Sequence, residues 1–261
     1  MRSRKGRIAR AALVAALGGL AVSIGARPRG DDHGAVVELG PGPPLAEDAA
    51  ERARRLRMVD EQIEAQGITD PVVLAAMRAV PRHRFMPEAE RPLAYEDCAL
   101  PIGNGQTISQ PLIVALMTAL IEPRPTMRVL EVGTGSGYQA AVLACCVGEV
   151  ETIERIPELG RRAEVLLGAL GYRNVHVRIG DGFDGWPDRA PFDAIVLTAA
   201  PGRRVPRPLL DQLRPGGRIV APVGRGVQEL VVIRKTERGL VTRVVAPVRF
   251  VPMTGKAEAD R

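Results

Sequence analysis

Beyond residue 128 the chain alternates short apolar runs with stretches whose apolar residues recur at helical spacing. MRVLEVG, EVETIE, NVHVRIGD and FDAIVLTAA read as strands. The last is nearly all apolar, as a strand buried on both faces is. Residues 138–146 and 157–170 between them read as helices. A short helix over 208–213, the turn RPGG and the strand RIVAPVG come next, and QELVVIRKT and GLVTRVVAPVRFVPM close the pattern as antiparallel strands. Alternating strand–helix units predict an α/β fold with a mostly parallel, doubly wound sheet and right-handed crossovers.

Upstream the period is helical. AAERARRLRMVDEQIEAQ places Leu56, Val59 and Ile63 on one helix face, and Gly67 ends it. Thr69–Asp70–Pro71 opens a second helix, PVVLAAMRAV, with proline in its first turn, where the missing N–H costs nothing. VPRHRFMP and the loop after it run to Gly105, and a third helix spans 111–121. Residues 27–48 are rich in Pro, Gly and acid and read as a disordered linker. Before them, basic residues from Arg2 to Arg10 precede sixteen uncharged, mostly apolar residues, 11–26. That pattern fits a secretory signal, a short anchor or a mis-assigned start; at about 1.5 Å per residue it is short for a full membrane span. The organisation is then a signal-like or anchor segment over 1–26, the linker 27–48, one folded domain over 49–255 and a tail over 256–261.

Composition changes this picture little. The chain has 261 residues, 46% apolar and 25% charged, enough for one α/β domain with a large core and no structural staple. Its net charge of +6 suggests an acidic partner, but residues 1–27 hold six basic residues and no acid. The rest of the chain therefore balances to zero, which argues against a nucleic-acid footprint. An aromatic content of 3% leaves few stacking platforms for single strands. Cys98, Cys145 and Cys146 form no C-x-x-C, and His33, His83 and His176 are scattered, so no metal site is expected. The vicinal cysteines read as small core residues.

The chemistry concentrates in V-L-E-V-G-T-G-S-G-Y. Gly133, Gly135 and Gly137 follow a strand and precede a helix, where glycine lets the backbone turn sharply and approach a ligand. Dinucleotide dehydrogenases carry a related pattern with the third glycine one residue later. Here an acid, Glu131, precedes the turn. A carboxylate repels a pyrophosphate but suits a ligand that carries an amine and a sulfonium, which points to S-adenosyl-L-methionine. Glu154, seventeen residues beyond Gly137, ends the second strand, where a carboxylate accepts hydrogen bonds from ribose hydroxyls. Its alternative is a surface pair with Arg155. Asp181 and Gly182 end the third strand and meet the adenine edge, or else form a plain Asp-Gly turn.

The segment A-Y-E-D-C-A-L-P-I-G-N-G-Q-T-I-S-Q-P resembles the hallmark of the protein-L-isoaspartate(D-aspartate) O-methyltransferases. The likeness continues through R-V-L-E-V-G-T-G-S-G-Y-Q-A-A-V-L-A, G-D-G-F-D-G-W, A-P-F-D-A-I-V-L-T-A-A, P-V-G and R-F-V-P-M, over residues 56–255. It departs at Leu112, where many relatives carry an aromatic or His. The resemblance implies a Rossmann-like S-adenosylmethionine-dependent methyltransferase fold. It implies Ser109 as the active-site serine, the donor loop at Glu131, Gly133, Gly135 and Gly137, the ribose acid at Glu154 and the adenine contact at Asp181 and Gly182. Ile108 and Gln110 then flank the cavity between donor and acceptor. A carboxylate acceptor is already ionised at neutral pH, its pKa being about 4, so direct displacement needs no general base. Ser109 would orient the acceptor; its alternative is to cap the helix that begins at Pro111. His83, Phe183 and Trp186 read as packing residues.

The implied activity is protein repair: methyl transfer to the free carboxylate of L-isoaspartyl and D-aspartyl residues of damaged proteins, by a cytoplasmic monomer that engages no nucleic acid. It would meet a membrane, or be exported, only through residues 1–26. Methyl transfer to another peptide or small-molecule carboxylate is the alternative. A donor-binding protein without activity would need a broken loop or a lost Ser109, and a dehydrogenase would bind nicotinamide.

Overall fold

The computed structural model describes residues 48–258; the signal-like segment and all but the last residue of the linker lie outside the described residues, as do 259–261. Helix α1 (Ala49–Met58) starts at Asp48, whose side chain accepts the Ala50 N–H. The helix expected over 49–66 is carried on by a π turn, Val59–Ile63, and a 3-10 turn, Glu64–Gln66. It stops at Gly67, where φ is 93°. Helix α2 (Pro71–Ala79) is capped by Asp70, which accepts the Val72 and Val73 N–H groups at 2.9 and 3.3 Å.

The stretch expected as loop up to Gly105 contains a hairpin, β1 (Leu100–Gly103) with β2 (Gln106–Ile108). Its turn residues Asn104 and Gly105 have φ of 53° and 70°, the positive pair that Asn-Gly favours, so the dipeptide carried the signal for it. Helix α3 (Pro111–Leu120) leads into strand β3 (Arg128–Val132). Then follow α4 (Tyr138–Ala144), β4 (Glu149–Glu154), α5 (Pro157–Ala169), β5 (Val175–Ile179) and β6 (Phe192–Leu197). Helix α6 (Arg207–Asp211) and strands β7 (Leu213–Val223), β8 (Gln228–Thr236) and β9 (Gly239–Val248) complete the domain.

The seven strands lie in the order β5-β4-β3-β6-β7-β8-β9. The first five run parallel, and β8 and β9 are antiparallel. From β3 the chain moves one way to β4 and β5, then returns to β6 on the other side. Loops leaving β3 and β6 diverge there and open a crevice at the carboxyl ends of the strands. The RPGG segment expected as a turn before its strand lies inside β7. Phe192 pairs with Leu213 but Ala194 with Arg218, so residues 214–217 loop out while both flanks keep their ladder with β6.

Apolar side chains fill both faces of the sheet. Arg82 is fully buried, donates to the carbonyls of Ala94 and Cys98 at 2.9 and 3.4 Å, and stacks over Tyr138. It thereby ties the segment before the hairpin to the core. His83 bonds Tyr95 Oη at 2.7 Å and packs edge-on against its ring. Phe183 and Trp186 pack on the second core face. Burial pushes the thiols of Cys145 and Cys146 up. Among the described residues no cluster could hold a metal, and no helix is long and apolar enough to cross a membrane.

Candidate active site

A cleft of about 780 Å³, counted to its solvent-open mouth, sits at the carboxyl ends of β3, β4 and β6. Its walls bring together Ile108, Ser109, Glu131, Gly133, Gly135, Glu154 and Gly182, seven of the ten residues given site roles from sequence. Gly137 and Asp181 stand behind the walls, and Gln110 does not line the cleft, its side chain donating to Asp97 instead.

The glycine-rich turn forms one wall. Gly133 has φ of 106°, a region that side chains rarely adopt. A Cβ there would collide with Thr198 Oγ1, which donates to the Gly133 carbonyl at 2.6 Å. Only glycine lets the turn close on β6. Gly137 caps α4 with φ of 85° and faces Ala163 and Leu167, so it lets α5 pack behind the turn and does not line the cleft.

Glu131 is completely buried beneath this turn. Its Oε2 accepts from Thr152 Oγ1, which also bonds Thr134 Oγ1 at 2.6 Å, while Oε1 has no partner. Burial pushes its carboxyl up from 4.5 to about 8; the Thr152 bond opposes this and the charge of Glu154 adds to it. An acid with one orphaned oxygen on a cleft wall is a site built for a donor or a cation, since leaving it unpaired is costly.

Glu154 does not pair with Arg155. Its Oε2 accepts the Gly135 N–H at 2.7 Å and its Oε1 the Ile156 N–H at 2.9 Å. Two backbone donors fix the carboxylate on the wall, and each oxygen keeps a lone pair for a hydroxyl. Asp181 is used otherwise. It accepts the N–H groups of Phe183 and Lys256 at 3.0 and 2.9 Å, stapling the C-terminal segment to the rim. Its neighbour Gly182 lines the cleft, and a Cβ there would strike Val132 Cγ1.

Ser109 enters from the opposite side, between β2 and α3. Its hydroxyl makes no hydrogen bond to another described residue, so it does not cap α3. That role falls to Asp97, whose Oδ1 accepts the Leu112 N–H at 3.2 Å and whose Oδ2 accepts the Gln110 side chain at 2.6 Å. The cap leaves the Ser109 hydroxyl available on the cleft wall. Asp97 was not singled out from sequence, because it acts across fifteen residues of chain. Thr134 and Thr198 were also missed, and Val251–Pro252–Met253, read from sequence as the end of the last strand, lie beyond β9 and with Thr254 form a strap on the cleft wall. The strap is held against the segment that follows β6 by two backbone bonds, Ala200 N–H to Val251 O at 2.9 Å and Met253 N–H to Ala200 O at 2.8 Å. No local pattern signals that pairing.

The family model for protein-L-isoaspartate(D-aspartate) O-methyltransferase matches residues 53–258. The protein-L-isoaspartate O-methyltransferase of Gloeobacter violaceus is 56% identical over 199 residues, covering 76% of this chain and 97% of that protein. A second relative of that name, from Anaeromyxobacter sp., is 56% identical over 214 residues, covering 81% of this chain and 88% of its own. Among solved structures, a protein-L-isoaspartate O-methyltransferase superposes with a TM-score of 0.72 at 29% identity, covering 79% of this chain and 67% of that one. A Plasmodium falciparum protein solved in complex with S-adenosyl-L-homocysteine gives 0.66 at 22% identity, over 77% of this chain and 98% of that one, which shows the shared fold.

Proposed function

The chain belongs to the protein-L-isoaspartate(D-aspartate) O-methyltransferase family, and from that premise we propose that its cleft moves the methyl group of S-adenosyl-L-methionine onto the free carboxylate of L-isoaspartyl and D-aspartyl residues in damaged proteins. One observation carries the reading: an unengaged serine hydroxyl and a buried, half-orphaned glutamate line the same cleft.

The cleft fits the donor. Gly133 and Gly182 make room where a Cβ would not fit, and the orphaned Glu131 oxygen suits a ligand bearing positive charge. Glu131 would hold the charged end, Gly133 and Gly135 the close backbone approach, Glu154 the ribose hydroxyls and Gly182 the adenine side. When bound, the donor supplies a methyl group on a good leaving sulfur. The chain's own residues do the rest. Ser109 donates a hydrogen bond to one acceptor oxygen and aims the other along the line of displacement. No residue has to take a proton, because the acceptor carboxylate is already ionised. Alignment of this kind supplies at best on the order of 7–11 kcal/mol of the barrier. Buried Ile108, Val132 and Met253 line the cleft and keep water from competing.

The acceptor is an isoaspartyl peptide lying between residues 107–110 and the strap 251–254. The donor is a cytoplasmic metabolite, which supports action in the cytoplasm, and a monomer suffices because one chain supplies the whole cleft. Label from methyl-labelled donor should enter an isoaspartyl peptide and not its aspartyl isomer; no label in either overturns the reading.

A further inference from the structure

A second cavity, about 690 Å³ including its open side, adjoins the cleft and is lined by Ala200, Gly202, Gly224, Arg225, Gln228 and Pro252. Pro252 stands in the wall of both. The cavity is firmly framed. Gly224 N–H donates to Gly202 O at 2.8 Å, and the Gln228 amide brackets Phe250, accepting its N–H at 2.6 Å and donating to its carbonyl at 3.1 Å.

Its charge is one-sided. Arg225 lines it, and the chain stretches that supply its walls, residues 200–206, 221–228 and 246–254, also carry Arg203, Arg204 and Arg249 and no Asp or Glu. All four arginines are exposed, and Arg203, Arg225 and Arg249 make no ion pair with a described residue. Some arginines elsewhere are paired, Arg78 with Asp60 and Glu64, Arg214 with Asp193 and Arg218 with Glu122, whereas these three face no acid among the described residues. Glu229 is the first acid beyond these stretches. Gln228 points inward to Phe250, so Glu229, next along β8, points to the other face of the sheet. In a chain that is neutral beyond residue 27, unmatched positive charge gathers beside the acceptor end of the cleft.

Resting on the activity proposed above, we infer that this cavity is an acceptor subsite for an acidic side chain, an Asp or Glu next to the isoaspartyl residue or two positions from it. An extended peptide advances about 3.3 Å per residue, so a neighbour of the reacting residue reaches across Pro252. Rim charges act on encounter and binding more than on the displacement, so the preference belongs in KM and fades with salt.

The test uses isoaspartyl hexapeptides blocked at both ends, with Glu, Ala or Lys at each flanking position in turn. For the full chain at low salt, kcat/KM should be about 3- to 10-fold higher for Glu than for Lys at one flank, carried by KM and lost in ~0.5 M salt. Arg225→Glu should reverse that order, and Arg225→Ala combined with Arg249→Ala should bring the peptides within about twofold. Binding of the same peptides, fluorescently labelled, is read by anisotropy in parallel. Equal binding of Glu and Lys peptides, or an order unmoved in Arg225→Glu, overturns the subsite. Methylation of no isoaspartyl peptide overturns the activity instead, and the anisotropy series still decides the subsite.

Discussion

Replacing Glu131 by glutamine removes a titratable proton from the cleft while keeping the side chain's shape and its acceptor for Thr152. Burial sets the wild-type carboxyl at about 8. At pH 7 about one molecule in ten is then ionised, and ionising the rest costs about 1.4 kcal/mol at 1.36 kcal/mol per unit. A donor bearing positive charge favours the ionised form. If that form alone binds, affinity for S-adenosyl-L-methionine should rise about tenfold between pH 7 and pH 9, with roughly 0.9 proton released per donor bound at pH 7. The donor's own amine also titrates, so the quantity to read is the ratio of wild-type to Glu131→Gln affinity at each pH. Calorimetry in buffers of different ionisation enthalpy measures both affinity and proton release. Stability follows the same linkage. The folded pKa lies above the unfolded one, so the neutral acid's contribution is full below about 4.5 and is lost as pH rises through about 8. Without donor, the wild type should lose stability relative to Glu131→Gln across that window, by at most about 5 kcal/mol. An affinity ratio that is flat from pH 6 to 9, with no proton released, refutes the reasoning.

Ser109→Ala should cut kcat/KM for an isoaspartyl peptide by about 10- to 100-fold, the worth of one hydrogen bond to a charged group. Its donor affinity and thermal midpoint should hold, because the hydroxyl caps nothing; a comparable loss of midpoint contradicts the assignment. Asp97→Ala uncaps α3 and frees Gln110, so it should cost about 0.5–2 kcal/mol of stability. It should also lower peptide turnover while calorimetry finds donor affinity kept. Gly133→Ala forces a Cβ into Thr198 and strains a positive φ, at a cost on the order of 1–3 kcal/mol. Its donor binding should fail in calorimetry even where circular dichroism finds the fold intact.

How much of this was legible in the chain depended on range. The strand–helix alternation declared the parallel sheet, because period-2 and period-3.6 patterns are written in neighbouring residues. The glycines of the donor turn were legible for a similar reason: a positive φ is a local demand that few other residues meet. The Asn104–Gly105 hairpin was legible too and was passed over. Other features have no local signature. That β7 absorbs the RPGG segment follows from its ladder with β6. That Ser109 faces the donor loop without capping α3 follows from Asp97 reaching across the hairpin, and that the strap closes the rim follows from its bonds to Ala200.

The glutamate before the turn shows the division most plainly. Sequence placed an acid beside the donor loop and read it as a charge. Its protonation was decided only when β4, the turn and Thr152 closed around it, because a pKa is set by what surrounds a group in space, and most of those surroundings lie far away along the chain.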